Sequence, residues 1–380
     1  MFKRALLVTA LTAAFAAPAF ADVSISGSAE MDIFVRTHQD SSLKADGSSS
    51  SAAGNETDLI LNFDGNDKLD NGNKLIWRVS QKVATPATAA WGSREAYIGL
   101  TGDWGTFRSG RVFAPSYLAL DEFQNGAGNL WEDYGANAVW FKEALAYTSP
   151  DFGGFNVQVA YDLGTKNSDG QAWALDAIAT YKGNGLSLAG GYQKQKGLAQ
   201  ADGANVGNVT FDTLAWNQDD AYSPSSGGFF GNDIQQEMYF AQGNWDVGNG
   251  FSLRAGWKHN KWVADGWYLT NGREATSSND QFLLGGAYRW GKQSIALGWQ
   301  DVVNSKVGGE KINDMNMNQL YGQYTYGMSK NTVAYVQARY MKFKSEDARP
   351  FATATWQLDG VASSGTDNGA RVLIGTWTGF

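Results

Sequence analysis

From residue 22 onward, apolar and polar side chains alternate at a period of two over most of the chain, the spacing of strands with one greasy and one wet face. In residues 23–36, Val23, Ile25, Ala29, Met31, Ile33 and Val35 alternate with Ser24, Ser26, Ser28, Glu30 and Asp32. The pattern returns in residues 59–63, 75–79, 106–111, 139–148, 155–163, 173–181, 186–192 and 235–245. It continues in 251–258, 281–290, 295–300, 315–326, 332–343 and 370–380. Together these segments predict an all-β chain of about sixteen strands.

The connections sort by length. Residues 65–72, 102–105, 149–154, 183–185, 246–250, 291–292 and 327–331 are short; 38–55, 83–93, 112–138, 164–172, 194–234, 259–280, 301–314 and 344–369 are long and polar. Tight turns at one end and long loops at the other are the mark of a transmembrane antiparallel β-barrel of the outer-membrane type. A soluble sandwich has no reason to sort its loops this way.

Residues 112–138 fit no strand. They hold Pro115, Gly126, Gly128 and Gly135, a bulky apolar run from Tyr117 to Phe123, and the acids Asp121, Glu122, Glu132 and Asp133. A loop this long without periodicity is usually functional. The expectation is that this third long loop folds into the barrel and narrows a water-filled pore.

Composition sharpens the membrane reading. No stretch after the N-terminus approaches the roughly 20 apolar residues of a membrane helix, and a closed barrel is the other structure that can span a bilayer. Forty-six Gly, 16 Tyr, 15 Trp and 20 Phe stand against 6 Pro. Interfacial belts favour rings with one apolar and one polar end. Trp77, Tyr97, Tyr147, Tyr161, Trp173, Tyr181, Tyr192, Trp257, Tyr288, Trp299, Tyr326 and Tyr340 are placed there, on the apolar face near strand ends. Lys3 and Arg4, the apolar run 5–15 and Ala19-Phe20-Ala21 read as a signal peptide over residues 1–21, leaving 22–380 as the barrel domain. With no cysteine there is no disulfide framework. Removing Lys3 and Arg4 takes the net charge from −8 to −10, which disfavours nucleic acid as a partner.

Several segments resemble the trimeric general diffusion porins of Gram-negative outer membranes. Residues 94–111, Arg-Glu-Ala-Tyr-Ile-Gly-Leu-Thr-Gly-Asp-Trp-Gly-Thr-Phe-Arg-Ser-Gly-Arg, look like the strands that lead into the constriction loop. Residues 145–155 resemble the strand and turn that follow it, and 326–332 the last short turn; residues 22–34 and 58–79 add to the likeness. The chain ends on Phe380, like the family's terminal aromatic. The resemblance implies a sixteen-stranded barrel in the cell outer membrane, a homotrimer surrounded by lipid and lipopolysaccharide, and passive diffusion of ions and small hydrophilic solutes. It also implies that loop 112–138 carries carboxylates opposite a basic wall, with Arg111 at its start. The chain departs from the pattern at Ser28, Asp58 and Trp140, which stand where basic residues are common.

Face assignment can be argued without the family. A cation on the lipid face costs about 2–4 kcal/mol at mid-bilayer, so Arg78, Arg108, Lys142, Arg254, Lys258, Arg339 and Arg371 are assigned to the lumen. Glu143 then faces out, which suits a subunit interface better than lipid. Asp121, Glu122, Glu132 and Asp133 opposite this wall create a transverse field that orients dipolar solutes and biases ion selectivity. The weakened positive side and the net acidity predict a mild cation preference. Trp131, Trp140 and Trp377, on or near the lumen, suggest an alternative, a sugar-preferring channel with an aromatic lining. No Ser/His pairing, metal-ligand spacing, P-loop or dinucleotide fingerprint is found, so neither an enzyme nor a cofactor is expected. His38 and His259 fall in expected polar loops. A surface adhesin reading rests on loop 194–234, with Trp216, Tyr222, Phe229 and Phe230, and on loop 344–369.

Overall fold

A computed structural model describes residues 22–39, 50–85, 91–122, 139–164, 166–167, 170–171, 173–196, 198–199, 205–206, 232–265, 275–345 and 367–380. Sixteen long strands follow one another around a single closed antiparallel sheet, which also takes in the two-residue strand Glu310–Lys311. They are β1 (Asp22–Gln39), β2 (Ser50–Lys68), β3 (Lys74–Thr85), β4 (Glu95–Gly102), β5 (Gly105–Phe113), β6 (Trp140–Thr148), β7 (Phe155–Asp162) and β8 (Trp173–Gly183). The second half comprises β9 (Leu186–Lys196), β10 (Asn232–Gly248), β11 (Phe251–Asp265), β12 (Ala275–Trp290), β13 (Gln293–Val307), β14 (Met317–Gly327), β15 (Thr332–Phe343) and β16 (Asn368–Gly379). Among the described residues an α-helix, α1 (Pro115–Glu122), lies between β5 and β6, and a 3-10 turn, Asn313–Met315, between β13 and β14.

Closure is made by β1 and β16, paired from Ser28 with Gly379 to Arg36 with Arg371. Phe380 completes the seam: its N–H donates to the Gly27 carbonyl and the Gly27 N–H to its own, both at 3.0 Å. A closed ladder leaves no sheet edge unpaired, the condition a bilayer imposes. The short turns have their expected chemistry. Asn184-Gly185 and Asn249-Gly250 both have positive φ at each residue, the geometry that two-residue hairpins need and that Asn-Gly adopts most readily.

The alternation sets the faces. Ile25, Leu297 and Ile374 point outward and are about 60 % exposed in the single chain, at 63 %, 60 % and 62 %. Their neighbours on the inner face are polar and buried, among them Gln193, Gln236, Gln281, Gln300, Gln319 and Gln337. At the short-turn end the inner faces of β9–β15 surround a recess of 840 Å³, lined by Ser187, Asn244, Ser252, Ser294 and Thr325 among others.

Three expectations change. The strands outrun the alternation: β2 begins at Ser50 and β11 runs to Asp265, inside segments expected as loops. Beyond the bilayer both faces of a strand can be polar while its ladder bonds persist, so periodicity fades before pairing does. The two histidines therefore lie on strands. His38 Nδ1 contacts the Asn368 carbonyl at 2.8 Å, and His259 Nδ1 lies 2.9 Å from Asp280 Oδ1. Tyr97 leaves the outer belt: it pairs in register with Arg78 on the inner face, under the Arg108 guanidinium. The remaining outer rings do form two groups. Trp104–Tyr147 and Phe251–Tyr288 stack near the short turns, and Tyr161–Trp173 and Tyr192–Tyr239 lie in contact toward the long loops.

Candidate functional site

The inner wall of β6–β8 is lined by small residues, Ala144, Ala146, Ala160 and Ala174, packed under Val112, Ala114 and Phe141. Small side chains leave room for the chain to turn away from β5 into the barrel. Pro115 then opens α1, where a missing N–H costs nothing and the fixed φ suits the first helical position; Leu118 N–H closes the first turn on the Ala114 carbonyl at 3.3 Å.

Specific bonds hold α1 to the inner face. Ser116 donates its backbone N–H (3.2 Å) and its hydroxyl (2.5 Å) to Asp176 Oδ2 on β8. Gln193 on β9 donates its amide to both Ser116 Oγ and Asp176 Oδ2 at 2.8 Å. Gln242 on β10 donates to the Ala119 carbonyl at 2.6 Å. Ala119 and Leu120 pack against Ile178, Met238, Phe240 and Leu283. The periodicity-free stretch thus holds a helix on the lumen side, where the sequence showed no regular element. Asp121 and Glu122 end α1, and their side chains lie outside the described residues, as do Glu132, Asp133 and Trp131.

The expected basic residues fall into three sets. On β3–β5, Arg78 and Arg108 share the inner face. Arg78 binds Asp64 through Nε (2.6 Å) and Nη2 (3.2 Å), and Glu95 through Nη1 (3.0 Å). Arg108 lies 5.5 Å from the Tyr97 ring centroid and donates to Thr148 Oγ1 at 3.3 Å.

Arg254, Lys258, Arg339 and Arg371 form the second set, on the inner faces of β11, β15 and β16. Arg339 and Arg371 are directly opposite in register, and Arg371 is opposite Arg36 on β1. Like charges placed this way repel, and Arg254, Lys258, Arg339 and Arg371 are all buried, at 3 %, 2 %, 2 % and 3 % exposure. Arg371 Nη2 donates to Gln337 Oε1 at 2.7 Å, and Gln337 Nε2 to Gln323 Oε1 at 3.1 Å.

The third set departs from simple alternation. Arg111 pairs with Ala96, on the parity opposite to Arg108, and its guanidinium lies 5.2 Å from the Trp140 ring centroid. Gly110, at φ +129°, and a bulge between Gly110 and Val112 break the alternation just there. The bulge sets Lys142 and Glu143 together between Phe141 and Ala144, which both pack inward, so counting residues no longer assigns Lys142 to the lumen. Trp140 is packed away rather than presented to a solute: it is 3 % exposed, against Phe113 and Val139. Trp377 pairs with Glu30 and Val333 on the inner parity and packs on the cluster of Phe34, Tyr335 and Leu373.

Other charged groups on the lumen side had no place in the expected site. Lys82 Nζ lies 2.6 Å from Asp58 Oδ2, and Tyr335 donates to Asp32 Oδ1 at 2.6 Å and Glu30 Oε1 at 3.1 Å. Their signal was already in the sequence, since Glu30, Asp32 and Arg36 share the parity of Ser26 and Ser28.

A family model described as Gram-negative porin matches residues 7–346. Major outer membrane protein P.IA of Neisseria meningitidis serogroup B (strain ATCC BAA-335 / MC58) is 25 % identical over 314 residues, covering 74 % of this chain and 75 % of that protein. Chitoporin of Vibrio furnissii is 29 % identical over 255 residues, with coverages of 65 % and 64 %. Among solved structures, the anion-selective porin from Comamonas acidovorans superposes with a TM-score of 0.67 at 18 % identity, over 95 % of this chain and all of that one (100 %), a likeness of fold.

Proposed function

The chain belongs to the Gram-negative porin family, and from that premise we propose that its third long loop, residues 112–138, narrows an aqueous pore whose opposing charges select the permeant. The protein itself is an outer-membrane channel for passive diffusion. Sixteen strands enclose a barrel wide enough for water, and a polar lining replaces part of a solute's hydration as it crosses. The observation that carries the reading is the anchoring of α1 through Ser116 to the buried Asp176 on the lumen wall. On this reading the anchored helix is where the loop sets out across the opening.

On this reading Asp121, Glu122, Glu132 and Asp133 form the acidic side of the constriction. Arg78 and Arg108 on β3 and β5, and on the opposite run of strands Arg254, Arg339 and Arg371, whose row extends to Arg36, form the basic side. The acids on β1–β4, several held by Arg78 and Lys82, keep that quarter of the wall near neutrality. With Ser28, Asp58 and Trp140 standing where basic residues are common, and with the chain acidic overall, the loop acids outweigh the wall and the expected preference is mildly for cations. Residues 1–21 are removed on export, and the mature chains assemble as a homotrimer in lipid and lipopolysaccharide.

The test is a reversal potential across a planar bilayer in a KCl gradient. The wild type is expected to favour potassium. The combined variant Asp121→Asn, Glu122→Gln, Glu132→Gln, Asp133→Asn is expected to move the potential toward chloride. An unmoved potential would take the loop acids out of the constriction.

A second reading, a sugar-preferring channel, draws on the likeness to chitoporin and on Trp377 at the inner face. Current block by oligosaccharides that disappears in Trp377→Ala would favour it; block that persists in that variant, or none at all, would discard it.

A further inference from the structure

The inner wall holds a joint between two distant strands. Arg254 comes from β11 and Tyr321 from β14, and two strands, β12 and β13, lie between them. At roughly 4.8 Å per strand the two backbones are about 14 Å apart. Their side chains nevertheless meet: Arg254 Nη2 donates to the Tyr321 hydroxyl, and its guanidinium lies 5.7 Å from the Tyr321 ring centroid. Both side chains are buried, Arg254 and Tyr321 each at 3 % exposure.

The register explains how. Tyr321 pairs with Gly298, Gly298 with Gly285, and Gly285 with Arg254. The two intervening positions carry no side chain. A Cβ on Gly298 would collide with the Tyr321 ring and hydroxyl, and one on Gly285 would lie 2.5 Å from Arg254 Nε and 3.0 Å from the Tyr321 hydroxyl. The ring lies in a trough of two glycines. On its other side Tyr321 pairs with Arg339, which continues into Arg371 and Arg36.

The same device recurs, with the opposite charge, among the described residues. Tyr335 lies across Gly375, whose Cβ would strike both the ring and Asp32, and its hydroxyl donates to Asp32 and Glu30. A phenol accepts from a guanidinium at one site and donates to carboxylates at the other.

We propose that Tyr321, seated over Gly298 and Gly285, is a positioning residue for selectivity: it fixes the Arg254 guanidinium in line with Arg339, Arg371 and Arg36. The inference rests on the reading that Arg254 belongs to the charged pore wall. An arginine left to its rotamers spreads its charge over a sphere of positions; one held by a ring and a hydroxyl contributes at a single place, where the field of the row adds up.

Reversal potentials in a KCl gradient test this with Arg254→Gln, Tyr321→Phe and the double variant, each checked for heat-resistant folding on gels. Arg254→Gln is expected to shift the potential toward cations. Tyr321→Phe, which keeps the ring and removes the acceptor, is expected to shift it the same way. The double variant is expected to match Arg254→Gln alone. Gly298→Ala, which displaces the ring with its hydroxyl intact, is expected to reproduce Tyr321→Phe and stands in for it if that variant folds poorly. No shift in Arg254→Gln would remove Arg254 from the pore wall, and with it the reading on which the inference rests. A shift in Arg254→Gln with none in Tyr321→Phe or Gly298→Ala would overturn the positioning role alone. So would a Tyr321→Phe shift that persists undiminished on top of Arg254→Gln.

Discussion

Trp140 has the Arg111 guanidinium over its ring and Phe113 5.8 Å away, and almost none of its surface reaches solvent. Such a ring acts through packing. Trp140→Ala is expected to lower stability by about 3–5 kcal/mol, the range for emptying a buried aromatic site, read by urea titration of the protein refolded in vesicles. Oligosaccharide block is expected to be unchanged; its loss on truncation would put the ring back at the pore. What alternation could and could not reveal at this scale is visible nearby. Arg78 and Arg108 lie on the inner face where counting from Val79 and Phe107 puts them. Trp140, Arg111 and Lys142 do not follow the count, because the bulge and the positive φ of Gly110 intervene, and one slipped residue exchanges the faces. Tyr97 was legible, since it shares the parity of Glu95. The general taste of aromatic rings for the interface hid it.

Helix α1 shows what an element adds. A stretch with a proline, three nearby glycines and four acids has no helical stripe, so its sequence announces only that it is no strand. Its conformation is decided by tertiary partners: small alanines that let it in and the Asp176 carboxylate that receives Ser116. Asp176 looked like any wet-face residue of a strand, and nothing local in the sequence joins it to a helix sixty positions away. Asp176→Ala leaves the Ser116 N–H and the Gln193 amide short of an acceptor in a buried place, at about 1–3 kcal/mol. Single-channel recordings are expected to show larger and noisier currents as α1 loosens from the wall. Asp176→Asn, which keeps one acceptor oxygen, is expected to fall between. Currents indistinguishable from wild type in both would mean the rest of the loop holds itself in place.

At the scale of the whole molecule, the strand count and closure could be read from alternation and loop sorting alone, because a barrel repeats one simple rule sixteen times. How barrels meet each other is not repetitive, and the outward acid Glu143 bears on it. It is exposed on the outer face of β6, beside Leu145 and Tyr147, where the single chain offers it no shelter. Two surroundings predict opposite signs. Against lipid a carboxylate is a burden, and Glu143→Leu would stabilise the barrel. Against a neighbouring subunit it meets polar groups or water held between the chains, and the same change strips those partners while adding surface that fits none of them. The homotrimer proposed above places Glu143 in the second setting. Glu143→Leu is therefore expected to lower the temperature at which the assembly dissociates in detergent, while Leu297→Arg, on the outer face of β13, destabilises the folded barrel in vesicles by about 2–4 kcal/mol. A Glu143→Leu protein that outlasts the wild type on heating would place that wall in lipid and require the subunits to meet elsewhere.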